Sequence, residues 1–295
     1  MLKIATRGAA LFIAAALLAA LCSCGSDGKT EKDERPPQYD SVVAVSKSVG
    51  ELWLLAGGEL AGVTEDAMEL EGLSADTVSV GTLTEPNLEA IVALEPDMVL
   101  LMESVPTQKE LAQRLEELGI SCMPVDIDDF AGYKAVMEQL TGLTGRDDLY
   151  RKNCLDVEEK IESVRQKGSE LPRGTFLALK VSATKNKALD DSYFACEIMR
   201  DMNLTNIAAG DRALDELSLE AVVAAEPDYI FVIPSGDESK ARESFDAAFA
   251  DKPVWRELSA VKNGRVFMLP KDYFMYKPND KWGDAYEYLY ELICK

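Results

Sequence analysis

The chain has no histidine among its 295 residues. That absence removes histidine-ligated zinc, manganese and haem, the Ser-His-Asp triad and imidazole general-base chemistry. Cysteine is scarce, six in all, and no Cys-x-x-Cys pair occurs. Cys122, Cys154, Cys196 and Cys294 are too widely spaced for a zinc pattern or a dense disulfide framework, and spacing leaves open whether any of them pair. Positive charge is also short: 31 Lys and Arg stand against 52 Asp and Glu, for a net charge of −21. No basic stripe remains to displace counterions from phosphates, which disfavours a nucleic-acid partner. The acidity itself speaks for solubility and not for a function. Long apolar runs are missing except for Ala9 to Leu21, dominated by Ala and Leu and too short to span a bilayer.

What is there begins with a leader. Lys3 and Arg7 precede the apolar run, the pattern of a signal peptide over residues 1–23. Leu21-Cys22-Ser23-Cys24 resembles a bacterial lipobox with Cys24 as the acceptor, since Cys22 would put Leu21 where a small residue belongs. The resemblance implies a mature chain that starts at a lipid-modified Cys24 and sits outside the cytoplasmic membrane. Loss of Lys3 and Arg7 then makes the chain more acidic by two charges. Residues 24–40 read as a flexible tether, because Gly25 to Gln38 offers no apolar side chain beyond Pro36 and Pro37. Gly28-Lys29-Thr30 looks like the end of a phosphate-binding loop, but Ser23 stands where the first glycine is needed and no strand precedes it.

Residues 88–97 read Leu-Glu-Ala-Ile-Val-Ala-Leu-Glu-Pro-Asp and residues 219–228 read Leu-Glu-Ala-Val-Val-Ala-Ala-Glu-Pro-Asp, identical at eight of ten positions. Each copy is a helical pattern stopped by proline and followed by an apolar run, Met98 to Leu101 or Tyr229 to Val232, so each predicts a helix feeding a buried strand. Two such units imply two α/β lobes of similar build with a ligand cleft between them. Strand candidates at Val42 to Val45, Val78 to Val80, Thr175 to Val181 and Arg265 to Leu269 alternate with helical patterns, which predicts parallel sheets. Helices are expected over Ser192 to Met202 and Trp282 to Ile293.

From Arg146 to Lys167 the apolar positions Tyr150, Cys154, Val157, Ile161 and Val164 recur every three or four residues, with Asp147 and Asp148 at the start and Gly168 placed to cap the end. The spacing predicts one helix of roughly 33 Å. The expected organisation is therefore a first lobe over 41–145, a rigid linking spine over 146–168 and a second lobe over 169–295.

In their order, Ser46 to Gly57, Gly81 to Leu101, the spine, the second Leu-Glu-Ala-Val with its Glu-Pro-Asp, and Asn263-Gly264-Arg265-Val266 before Leu269-Pro270 resemble one known family. It comprises the ABC-transporter substrate-binding lipoproteins that capture ferric siderophores, haem or cobalamin, and the match covers nearly all of the mature chain. The resemblance implies two Rossmann-like lobes on one long helix, no catalysis, no cofactor or metal of the protein's own, and a monomer. Its implied partners are an ABC permease dimer with its ATPase subunits, a metal chelate or corrinoid, and the membrane through the lipid on Cys24. It also implies that Glu89 and Glu220, equivalent in the two repeats, dock onto permease arginines by charge-assisted hydrogen bonds. Ligand contacts are expected from loops at strand ends: Ser46, Lys47, Thr82, Leu83, Glu103 and Ser104 in the first lobe, and Lys185, Tyr193, Leu214, Lys271, Tyr273, Tyr276 and Lys277 in the second. Aromatic faces can stack on a flat chelate while lysines meet its carboxylates, and tyrosine can ligate haem iron.

Two alternatives stand beside this reading. One is a receptor that feeds a membrane sensor. The other is an extracytoplasmic hydrolase, because Ser182-Ala-Thr-Lys185 fits a Ser-x-x-Lys pattern; Ser26 to Lys29 in the tether fits it equally, and the Ser-Asp-Asn and Lys-Thr-Gly companions are missing. Replacing Cys24 by Ala is expected to move the protein from the membrane to the soluble fraction, and lipid retained on that variant would contradict the anchor.

Overall fold

The computed structural model describes residues 39–210 and 219–295, so Cys24 and Leu214 lie outside the described residues. Strands β1 (Val42–Ala44), β2 (Gly62–Val63), β3 (Val78–Ser79), β4 (Met98–Met102) and β5 (Cys122–Val125) form a parallel sheet in the order β3-β2-β1-β4-β5. β1 is apolar and fully buried at every position, as the centre of a sheet covered on both faces requires. The second sheet is built on β6 (Gly174–Val181), with β7 (Asn186–Ala188), β8 (Leu204–Asn206), β9 (Tyr229–Pro234) and β10 (Val266–Met268) in the order β10-β9-β6-β7, β8 pairing beside the start of β6. One strand departs from the expected parallel pattern. β7 runs antiparallel to β6 because Ser182 and Lys185 close a tight reversal, with Ser182 N–H donating to the Lys185 carbonyl at 2.9 Å and the Ser182 hydroxyl accepting from Lys185 N–H at 3.0 Å.

The duplicated segment has the same structure twice. Helices Leu88–Ala93 and Leu219–Ala225 feed β4 and β9. The residue before each proline is disfavoured in the right-handed helical region; Glu95 and Glu226 both turn left-handed, each at φ 45°. The following aspartates then tie down the first strand of each sheet. Asp97 accepts from the N–H groups of Asp40 and Ser41 at 2.8 and 2.9 Å, and Asp228 accepts from the Thr175 N–H and hydroxyl at 2.8 and 3.0 Å.

Between the sheets, helical segments Asp147–Tyr150, Arg151–Leu155 and Asp156–Ser169 follow one another without a break. The middle segment is a π-helical turn and not the regular α-helix that the spacing predicts. The widened turn lets Asn153 serve the first lobe twice: its carbonyl accepts from the Tyr133 hydroxyl at 3.1 Å and its amide donates to the Leu55 carbonyl at 2.8 Å. Gly168 is likewise not a cap. The helix runs through it, and a β-carbon there would stand 2.6 Å from the Asp201 carbonyl oxygen, so the glycine permits close packing on the second lobe.

One continuous core joins Leu52 and Tyr133 of the first lobe to Phe176 and Phe231 of the second through Cys154, Ile161 and Val164 of the spine. The C-terminal helix Trp282–Ile293 completes it. Trp282 is 1% exposed and meets Phe130 edge-on at 6.0 Å and Phe194 at 5.4 Å, one ring from each lobe. Lys160 of the spine adds contacts to Asp284 and Glu287 at 2.7 and 2.6 Å, which are half-exposed and worth about 1 kcal/mol or less each. Trp282→Ala is therefore expected to cost about 3–5 kcal/mol of stability in denaturant unfolding. Trp282→Phe is expected to cost much less, since the buried indole N–H has no hydrogen-bond partner among the described residues to lose; equal losses would contradict this.

Candidate ligand site

In a parallel α/β sheet the loops at the carboxyl ends of the strands are where ligands gather. In the first lobe these loops are knotted by Gln108, a fully buried side chain on helix Pro106–Glu117. Its oxygen accepts from Met102 N–H at 2.7 Å, and its amine donates to the carbonyls of Val45 at 2.8 Å and Leu83 at 3.0 Å. One amide thus fixes the ends of β1 and β4 and the loop after β3. An isolated Gln within a helical pattern carries no sequence signal for that role.

The expected contacts in this lobe divide by what they already hold. Ser46 is buried and its hydroxyl accepts from Val49 N–H, capping helix Lys47–Leu55. Thr82 accepts from Glu85 N–H at 3.1 Å, and Leu83 is engaged through its carbonyl. Lys47, Glu103 and Ser104 are exposed at strand ends; the backbone N–H of Lys47 is tied to Asp66 at 3.1 Å, and Glu103 pairs with Lys109 at 3.4 Å.

In the second lobe, Lys185 is exposed at the β6–β7 turn. The Ser182 hydroxyl donates to the Lys185 carbonyl at 2.9 Å, so the Ser-x-x-Lys pattern serves turn geometry. Tyr193 donates to the Phe274 carbonyl at 2.9 Å, and burial pushes its phenol up. Lys271 donates to the Gly236 carbonyl at 2.7 Å and lies 5.5 Å over the Tyr276 ring. Tyr273 packs on Tyr288 at 5.9 Å, whereas Tyr276 is 53% exposed. Lys277 crosses between lobes: its amine donates to the Asp128 carbonyl at 3.2 Å and sits 4.9 Å over Phe194. Burial lowers its pKa, opposed by the carboxylates of Asp128, Asp126 and Asp129. The same segment sends Asn279 to Glu51 of the first lobe. Lys277 therefore works first as a clasp between lobes.

The family profile of the periplasmic binding proteins matches residues 42–273. The chain belongs to the periplasmic binding protein family. Within it, the chain is similar to the Fe(3+)-citrate-binding protein YfmC of Bacillus subtilis, 27% identical over 69% of this chain and 63% of that relative, so the match spans just under two thirds of the relative's length. It is 25% identical to the haem uptake system protein IsdE of Staphylococcus aureus over 75% of each chain. The fold of IsdE complexed with haem superposes with a TM-score of 0.72 at 21% identity, covering 88% of this chain and all of the other. That of the vitamin B12 binding protein BtuF of Vibrio cholerae gives 0.68 at 20% identity, covering 86% and 96%. This periplasmic binding protein thus shares the two-lobed α/β architecture with receptors of quite different ligands.

The larger described cavity, about 490 Å³, lies beside the spine and reaches Asp129 at the end of the loop after β5. Its walls include Asp129, Lys134, Glu158, Glu197 and Tyr286. Lys134 is held by both oxygens of Glu158 at 2.6 Å, and Tyr286 donates to Asp201 at 2.7 Å. Glu197 has no such partner among the described residues, and burial, with Asp201 and Asp129 nearby, raises its pKa. The four cysteines among the described residues are unpaired; burial pushes the thiols of Cys154 and Cys196 up to about 12 and that of Cys122 up to about 11. A carboxyl whose pKa is raised by folding costs stability once pH passes its unfolded value, because the unfolded chain then ionises more readily, and the cost levels off above the folded value. The penalty from Glu197 is absent below about pH 4 and grows as pH rises to the folded value. Glu197→Gln is expected to raise the melting temperature at pH 7, with the gain vanishing toward pH 4; a gain that persists at low pH, or none at all, would contradict this.

Proposed function

We propose that the protein is an extracytoplasmic receptor of an ABC importer, lipid-anchored at Cys24, that captures a metal chelate or corrinoid between its lobes and delivers it to the permease. One observation carries the reading: two sheets that share no strand are joined by one continuous core and by Lys277, while Lys47, Ser104 and Lys185 stay exposed just beyond strand ends and Tyr276 stays exposed in the segment after the last strand. Relatives named for ferric citrate and haem support the ligand class. Tyr276 and Tyr273 supply aromatic surface for a macrocycle or an aryl chelate.

Delivery falls to Glu89 and Glu220. Both are exposed and occupy the first turn of helices Leu88–Ala93 and Leu219–Ala225, the equivalent position in each repeat. A carboxylate is favoured there in any case, but exposure and duplication suit contact with a two-fold symmetric partner. The reading makes the receptor a monomer that meets a permease dimer and its ATPase subunits.

A paired measurement tests both parts. Absorption or fluorescence titration of the purified protein with haem, ferric siderophores, ferric citrate and cobalamin should find at least one ligand. Glu89→Ala with Glu220→Ala should leave that affinity unchanged yet strongly reduce uptake through the cognate permease, because removing one side of a charge-assisted hydrogen bond at such an interface costs roughly 2–5 kcal/mol. Normal uptake by the double variant would sink the docking role. Binding of none of these ligands would sink the receptor assignment.

A further inference from the structure

We propose that the ligand is an anionic chelate, with a net negative charge carried on carboxylate or catecholate oxygens, and that Lys180 and Lys187 of the second lobe read that charge. The proposal rests on the receptor reading above and adds to it two residues and the sign of the ligand.

Lys180 is the penultimate residue of β6, and its direct partner across the antiparallel ladder is Lys187 of β7. Opposed residues share a face of the sheet with β-carbons about 5 Å apart, and like charges so placed are destabilising. That face is the one carrying Ala178 and Phe176, two and four residues earlier, which belong to the core shared by both lobes. The lysine pair stands where that face runs out at the carboxyl edge of the sheet.

Among the described residues neither ammonium has an ion-pair or hydrogen-bond partner. Asp190, the acid nearest Lys187 in sequence, accepts from the N–H and hydroxyl of Ser192 through its Oδ1 at 2.9 and 2.5 Å and feels the Lys187 charge without forming an ion pair with it. Lys180 is half-buried, and its pKa is lowered by burial first and by Lys187 second.

An edge-strand lysine has an ordinary explanation, since its charge deters pairing with another chain. That accounts for Lys187, which is exposed on β7. It does not account for Lys180, which lies on an inner strand flanked by β7 and β9. A half-buried cation facing a second cation lowers stability until an anion arrives. The same edge carries Lys185 at the turn and, beyond β9, Lys271 on the Gly236 carbonyl. Three neighbouring strands span about 10 Å at the usual spacing, the breadth of a small ferric complex. The row is cationic in a chain whose net charge is −21.

The test is equilibrium titration of the purified protein with four probes: ferric citrate, a ferric tris-catecholate, a neutral ferric trihydroxamate and cobalamin. At least one of the two anionic complexes is expected to bind most tightly. Lys180→Met, which keeps the unbranched stem, should weaken that binding about tenfold or more, as removal of one charge-assisted hydrogen bond does. The melting temperature of the free protein should hold or rise, because the repulsion is gone. Lys187→Gln, at an exposed position, should weaken binding in the same sense and flatten its salt dependence. Tightest binding of the neutral trihydroxamate or cobalamin, or anionic binding unaltered in both variants, overturns the inference and leaves the receptor reading standing. Failure of all four probes removes both.

Discussion

Trp282 packs between Phe130 of one lobe and Phe194 of the other, at the centre of the core that joins two sheets sharing no strand. With the C-terminal helix laid against the spine, the apolar interior runs unbroken from the first sheet to the second. Magnitudes decide which contacts matter there. The Lys160 ion pairs are solvent-screened and weak, whereas burial of an aromatic side chain contributes several times more. The relation between lobes is thus a property of packing and only secondarily of charge.

The duplication shows the same reasoning at the level of one lobe. Left-handed backbone at Glu95 and Glu226 costs roughly 1–2 kcal/mol each. Hydrogen bonds from two donors to the carboxylates of Asp97 and Asp228 offset that cost and hold the first strand of each sheet in register. Neither residue of the pair is useful without the other, which accounts for the recurrence of Glu-Pro-Asp as a unit. In a chain built of two such lobes, the same strand anchor is needed twice.

Much of this architecture is legible in the residues. The repeat, the apolar runs of β4 and β9 and the period of Trp282 to Ile293 identify two α/β lobes and the closing helix. What the pattern misses is set by partners distant in the chain. Gly168 looks like a helix end because glycine after Arg165 and Lys167 normally is one, and only the approach of the Asp201 carbonyl explains it. The π turn at Arg151–Leu155 keeps the apolar period and so leaves no trace in it. The inter-lobe role of Lys277 is also invisible in the pattern, since its partners, the Asp128 carbonyl and the Phe194 ring, lie far off in the chain. Lys180 is hidden too: inside a strand it looks like one polar interruption, and its meaning depends on which residue β7 sets across from it.

Gln108 has a consequence for affinity. Its amide joins three carboxyl-end segments of the first lobe, and each of its hydrogen bonds forms when the protein folds, before any ligand is present. Those loops then have little conformational freedom left to lose on binding, and ordering entropy is a large part of what weakens association. On the function proposed above, exposed side chains on that frame can be exchanged, and the ligand preference with them, without having to re-establish the order of the frame.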